Sequence, residues 1–138
     1  MNSEECIFCK IINGQIPCTK VYEDDNVLAF LDIQPISDGH TLVIPKSHYE
    51  TLDECPVEII VQVSSCLGKI AKAVIGAMVS DGYNVLCNNK RAAGQLVEHV
   101  HFHIIPRKKD DGVFAHWPAY KYKEGQAEAI VEKICEKL

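Results

Sequence analysis

The chain has 138 residues, enough for one domain with a hydrophobic core and too few for two ordinary ones. Hydrophobic residues make up 47% and charged residues 24%, the balance of a folded protein and not of a disordered one. A formal net charge of −5 argues against a broad nucleic-acid surface, which needs clustered Lys and Arg, while leaving room for a small phosphorylated ligand held by a local set of donors.

Taken in chain order, Ile7 to Ile12 reads as a short helical turn stopped at Asn13 and Gly14. Val21 to Glu23 and Val27 to Leu31 flank Asp24, Asp25 and Asn26, which makes a β-hairpin. Thr41 to Ile44 forms a third strand closed by Pro45. From Pro56 to about Val79 apolar residues recur at helical spacing, and this is the main helix. Tyr83 to Cys87 is a fourth strand, and Asn88 to Gly94 a turn-rich loop. After Gly125 the residues Ala127, Ile130, Val131, Ile134 and Leu138 share one side of an amphipathic closing helix, expected to pack on the core. The expected class is α+β, an antiparallel sheet packed by one long and one or two shorter helices.

No apolar run reads as long enough for a membrane span, and the opening MNSEECIFCK lacks the basic and then apolar layout of a secretion signal. The expectation is a cytoplasmic protein with no membrane partner. Its seven cysteines form an odd set without a regular framework, so most are expected to be reduced, small apolar groups. Cys6 and Cys9 stand apart, because their two-residue gap lets both thiolates reach one ion.

The most informative stretch is His99-Val100-His101-Phe102-His103-Ile104-Ile105. On a strand, alternation sends the three imidazoles to one face and the apolar groups to the other, so one face is expected to be buried and the other to display chemistry. Neutral imidazole is a nucleophile, a proton carrier and a metal ligand near neutral pH. Taken alone, the pattern is better evidence for a two- or three-ligand zinc platform than for a nucleophile.

This stretch resembles the signature of the histidine triad (HIT) family. Similar residues recur at Ile11 to Pro17, at Asp32 and Ile33 with Pro35 and His40, at Leu42 to Lys46, at Asn88, and at Gly94 and Gln95, so the likeness covers about residues 6 to 107, with 108 to 138 a C-terminal extension of one domain. The resemblance implies a hydrolase or transferase acting at the α-phosphate of a nucleotide through a covalent nucleotidyl-histidine on His101. It places His103 and His40 beside the phosphate as donors, with Asn88, Gly94 and Gln95 around its oxygens. Asp32 corresponds to the ribose contact, and Phe8, Ile11, Phe30 and Ile33 to the base slot. It also implies zinc held by Cys6, Cys9, His48 and His99, and a homodimer that continues the sheet across two chains. His116, Trp117 and Pro118 are similar to the tail of the phosphoramidase branch, where the Trp closes the partner's pocket, although the spacing differs. Two departures stand out: Leu96 occupies a position where the family carries Ser or Thr, and Glu98 precedes the triad.

The first reading is a nucleoside 5′-phosphoramidase-like hydrolase with a purine preference. A dinucleoside polyphosphate hydrolase stays open, because Ile105-Pro106-Arg107 resembles another branch of the family. So do a nucleotide-binding module with little catalysis, prompted by Leu96, and a metallohydrolase using the triad as ligands.

Overall fold

The computed structural model describes residues 4–138. Helix α1 (Ile7–Ile12) leads into the hairpin of β1 (Lys20–Glu23) and β2 (Val27–Leu31), followed by β3 (Thr41–Pro45). After a 3-10 turn at Leu52–Glu54 come α2 (Val57–Met78) and β4 (Gly82–Leu86), then a second 3-10 turn at Arg91–Ala93, β5 (Phe102–Arg107) and α3 (Gln126–Cys135). The five strands form one antiparallel sheet in the order β1-β2-β3-β5-β4. The expected α+β class is therefore the observed one.

Local chemistry explains the hairpin. The Asp24 carboxylate accepts from the N–H groups of Asn26 and Val27 at 2.9 and 2.8 Å, closing an Asx turn. Its other oxygen accepts from the Tyr22 hydroxyl at 2.7 Å, and Lys69 of α2 donates to that hydroxyl at 2.9 Å, so the turn is pinned to the long helix.

Apolar layers lie on both faces of the sheet. Val27, Ala29, Val43 and Ile104 turn to α2 and meet Val63, Cys66, Ile70, Ala71 and Val74. Leu28, Phe30, Leu42 and Ile44 turn to α1 and meet Cys6, Phe8 and Cys9. Double coverage is why β2 and β3 read as continuous apolar runs and not as alternating ones.

Three expectations are corrected. The strand carrying the triad begins at Phe102, so His99, Val100 and His101 precede it as irregular backbone, with the Val100 N–H donating to the Tyr49 carbonyl at 2.7 Å. Helix α2 is long and apolar enough to cross a membrane by length and composition, contrary to the sequence reading; in the fold its apolar stripe lies on the sheet. Helix α3 forms as expected but contributes no buried residue, and no residue after Arg107 joins either apolar layer.

At its C-terminus α2 holds a β-branched residue in left-handed backbone: Val79 has φ 50° and ψ 52°, with the Ser80 N–H closing onto the Ile75 carbonyl at 3.1 Å. Glycine is the usual occupant of such a cap, and Val79 is 79% exposed, so its side chain has little packing to lose. Val79→Gly is expected to stabilise the fold by about 1 kcal/mol, read as a higher urea midpoint at unchanged slope.

Candidate active site

The sheet's register assembles the histidines. Leu42 pairs with His103, and since side chains alternate along each strand, His40 and His103 emerge as diagonal neighbours on the α1 side. His101 lies on that same side, two residues before His103, with Phe8 of α1 edge-on at 5.2 Å between ring centroids. The face is not displayed as the sequence suggested: His40, His99 and His101 are buried and His103 is half-buried, with Phe8 of α1 lying against His99 and His101.

Backbone groups fix the protons of these rings. The Nδ1 atom of His101 lies 2.7 Å from the His99 carbonyl, which can only accept, so Nδ1 carries the proton and Nε2 keeps a free lone pair. The Ile36 N–H donates to Nδ1 of His40 at 3.1 Å, so that ring is protonated on Nε2. Nε2 of His40 stands 2.8 Å from Nδ1 of His103 and must donate to it, leaving the His103 proton on Nε2. That nitrogen is buried with no partner among the described residues. Asp32, just past β2, brings a carboxylate oxygen within 3.7 Å of His40 Nε2. Burial holds His103 down to about 4 and keeps His40 and His101 below the ordinary imidazole value, so all three are neutral near pH 7.

A second cluster joins α1 to the start of the triad. The ligand atoms of Cys6, Cys9, His48 and His99 all lie within 4.8 Å of one another. The two Nδ1 atoms are 3.3 Å apart, and the sulfur to nitrogen separations are 3.4 Å for Cys9–His48, 3.5 Å for Cys6–His99 and 3.6 Å for Cys9–His99. A tetrahedral zinc site with usual bond lengths has nitrogen–nitrogen edges of about 3.3 Å and sulfur–nitrogen edges of about 3.5 Å, so the four residues fit that ion. Nε2 of His99 donates to the Pro45 carbonyl at 2.8 Å, which leaves its Nδ1 lone pair facing the thiols. Burial, with Cys6 alongside, pushes the Cys9 thiol up to about 11, a penalty on the thiolate that a cation would remove.

Comparison with known proteins matches this arrangement. The family model of the HIT domain matches residues 13–110. The chain belongs to the HIT family. It is 44% identical to the adenosine 5'-monophosphoramidase hnt1 of Schizosaccharomyces pombe over 96% of this chain and 98% of that protein. It is 50% identical to the adenylylsulfatase HINT3 of Arabidopsis thaliana over 80% of this chain, a match that spans only 56% of the longer plant protein. Both relatives are named as hydrolases. A crystal structure of a HIT family protein from Bacillus subtilis superposes with a TM-score of 0.91 at 47% identity, covering 97% of each chain. A zinc-bound HIT family protein from Mycobacterium smegmatis superposes with a TM-score of 0.76 at 33% identity, covering 99% of this chain and 100% of that one.

In this HIT chain the loop from Asn88 to Val97 is held from within. Gly94, at φ 88°, lies beside Asn88: a Cβ on it would stand 3.6 Å from the Asn88 amide nitrogen. The N–H groups of Gly94 and Gln95 are engaged by the carbonyls of Arg91 and Lys90. Gln95 is buried, its side chain accepting from the Lys90 N–H at 2.7 Å and donating to the Glu50 and Val97 carbonyls at 2.6 and 3.1 Å. It clamps the loop to the segment after β3, a role spacing alone could not reveal. Asn89 adds a second tie by accepting from the Leu52 N–H at 2.8 Å. Leu96 is 80% exposed.

The residues matched to a base slot divide. Phe8 and Phe30 are core, in edge-to-face contact at 5.5 Å, and Ile11 packs on the same layer. Ile33 is 91% exposed beside Asp32, whose other carboxylate oxygen accepts from the Gln34 N–H at 2.8 Å. Arg107 is engaged by its own surroundings, bonding Asn84 at 2.7 Å, Asp111 at 2.7 and 2.8 Å, and the Val113 carbonyl.

The lowered histidine values fix the sign of a pH effect. A ring neutral in the fold but protonated at its ordinary value of 6.5 when unfolded contributes fully above that pH and loses its contribution as pH falls toward the folded value. The urea midpoint is expected to fall between about pH 6.5 and 4, and His103→Gln to flatten that slope relative to the parent.

Proposed function

We propose that this HIT protein is a nucleotide hydrolase or transferase acting at the α-phosphate of nucleoside monophosphate derivatives, purine nucleoside 5′-phosphoramidates foremost, through a covalent intermediate on His101. The observation that carries this reading is the 2.7 Å bond from His101 Nδ1 to the His99 carbonyl, which frees Nε2 as a neutral nucleophile. Lone-pair attack by Nε2 forms a nitrogen–phosphorus bond as the phosphorus–amine bond breaks. The His103 Nε2–H hydrogen-bonds the leaving nitrogen, which takes its proton from solvent. A water then displaces the nucleotide from His101 and gives up its proton to solvent. His40 supports His103 from behind, Asp32 accepts from ribose hydroxyls, Asn88 reaches the phosphate oxygens past Gly94, and Ile33 with Ile11 borders the base.

The names of the fungal and plant relatives, a phosphoramidase and an adenylylsulfatase, support α-phosphate chemistry. Engagement of Arg107 by its own turn weighs against a dinucleoside polyphosphate hydrolase, since that cation is already spent on Asp111. Leu96 favours a second reading, a nucleotide-binding module with little catalysis, because an exposed isobutyl group offers no hydroxyl where the family resemblance implies one. Rapid mixing with adenosine 5′-phosphoramidate separates the two: an enzyme accumulates or turns over an adenylylated histidine, and a binding module does neither. His101→Asn is expected to retain fold and nucleotide affinity while turnover falls by a factor on the order of 10⁴ or more. A near-parental rate would remove His101 as nucleophile.

Zinc in the Cys6, Cys9, His48, His99 cluster is structural in this reading, since a closed four-ligand site has no open position. It would tie α1 to the triad. Native protein is expected to hold about one zinc per chain, and Cys6→Ala with Cys9→Ala to lose it with a drop in melting temperature. A homodimer completes the proposal: β4 is an edge strand with Tyr83 and Val85 exposed, and Val57 and Val61 of α2 are exposed too, an apolar surface suited to a second copy. We place the protein in the cytoplasm as one domain over residues 1 to 138.

A further inference from the structure

The turn between β2 and β3 is tied into the site by its backbone. The Asp32 N–H donates to the His40 carbonyl at 2.9 Å and the His40 N–H to the Ser37 carbonyl at 3.0 Å. The Ser37 hydroxyl donates to the Pro106 carbonyl of β5 at 2.7 Å. Gly39, at φ +85°, approaches α2 so closely that a Cβ would stand 2.6 Å from Met78. Held this way, the turn aims the Ile36 N–H at Nδ1 of His40.

That contact has two chemical effects. It assigns the only proton of neutral His40 to Nε2, from which the 2.8 Å contact passes donor character to His103 and sets its buried, unpartnered Nε2 as N–H. It also bears on metals. The ligand atoms of Asp32, His40 and His103 lie within 4.8 Å of one another, a two-histidine, one-carboxylate set of the kind that takes divalent metals. In the cysteine cluster the His99 lone pair turns inward; here a proton lies between the two rings. For Nε2 of His40 to coordinate, its proton would have to move to Nδ1 and oppose the Ile36 N–H at 3.1 Å.

We infer that the Ile36 amide is a positioning group: by donating to His40 it holds His103 as a hydrogen-bond donor through Nε2 and withholds the Asp32, His40, His103 set from metal, so that zinc is directed to the cysteine cluster alone. The donor role of His103 rests on the nucleotidyl-transfer reading above; the tautomers and the metal preference do not.

Nitrogen-15 spectra of histidine-labelled, zinc-loaded wild-type protein near neutral pH test the tautomers directly. Expected are a bare Nδ1 and protonated Nε2 on both His40 and His103. A proton on Nδ1 of His40 overturns the inference and leaves the nucleotidyl-His101 reading standing. Zinc titration of two variants tests the metal preference. Ile36 is 46% exposed, so Ile36→Ala keeps the amide and is expected to match wild type in spectrum and in binding a single zinc per chain. Ile36→Pro removes the donor; it is expected to redistribute the His40 proton and to bind a second Zn²⁺ at least about tenfold more tightly than wild type does. Equal second-site affinity in a natively folded Ile36→Pro protein overturns the inference. Should that variant not fold, the wild-type spectrum decides.

Discussion

The site depends on one peptide unit. The carbonyl of His99 orients His101 at 2.7 Å, while the ring of the same residue is held between the Pro45 carbonyl and the two thiols. His99 therefore couples the position of the N-terminal helix to the tautomer of the nucleophile: a rotation that displaced its ring from Cys6 and Cys9 would also shift the acceptor behind His101. A neutral acceptor also matters. A carboxylate there would stabilise imidazolium and make the ring more basic, whereas a carbonyl orients it and leaves burial in control, which keeps His101 neutral.

Placing imidazoles inside an apolar layer requires that their polar atoms be met by fixed groups. Here the partners are mostly main chain: the His99 carbonyl for His101, the Pro45 carbonyl for His99, and the Ile36 amide for His40. Main-chain partners cannot rotate away or titrate. The arrangement is thus set before any ligand arrives, which is the condition under which donors contribute most to a charge-developing reaction.

Much of this was legible in the residue order, for local reasons. Strand alternation puts His101 and His103 on one side whether or not the strand reaches back to His101, and the CxxC spacing of Cys6 and Cys9 brings their sulfurs together within a single turn of chain. What was not legible came from distant partners. The cover over His99 and His101 comes from α1, more than eighty residues upstream, and the clamp formed by Gln95 depends on a carbonyl of Glu50. The Ile36 amide leaves no trace in composition, because every residue except proline has one. Amphipathicity in α3 is genuine, but periodicity states that a face is apolar and not what it meets.

The chain's last quarter has a different standing from the rest. No residue after Arg107 is buried within the described chain, and Asp111 and Val113 fasten its beginning to that arginine. Changes of length or composition beyond that hook leave the two apolar layers untouched. Mutational drift in this tail is thus filtered by its usefulness at the surface, while the sheet and its histidines answer to the thermodynamics of folding.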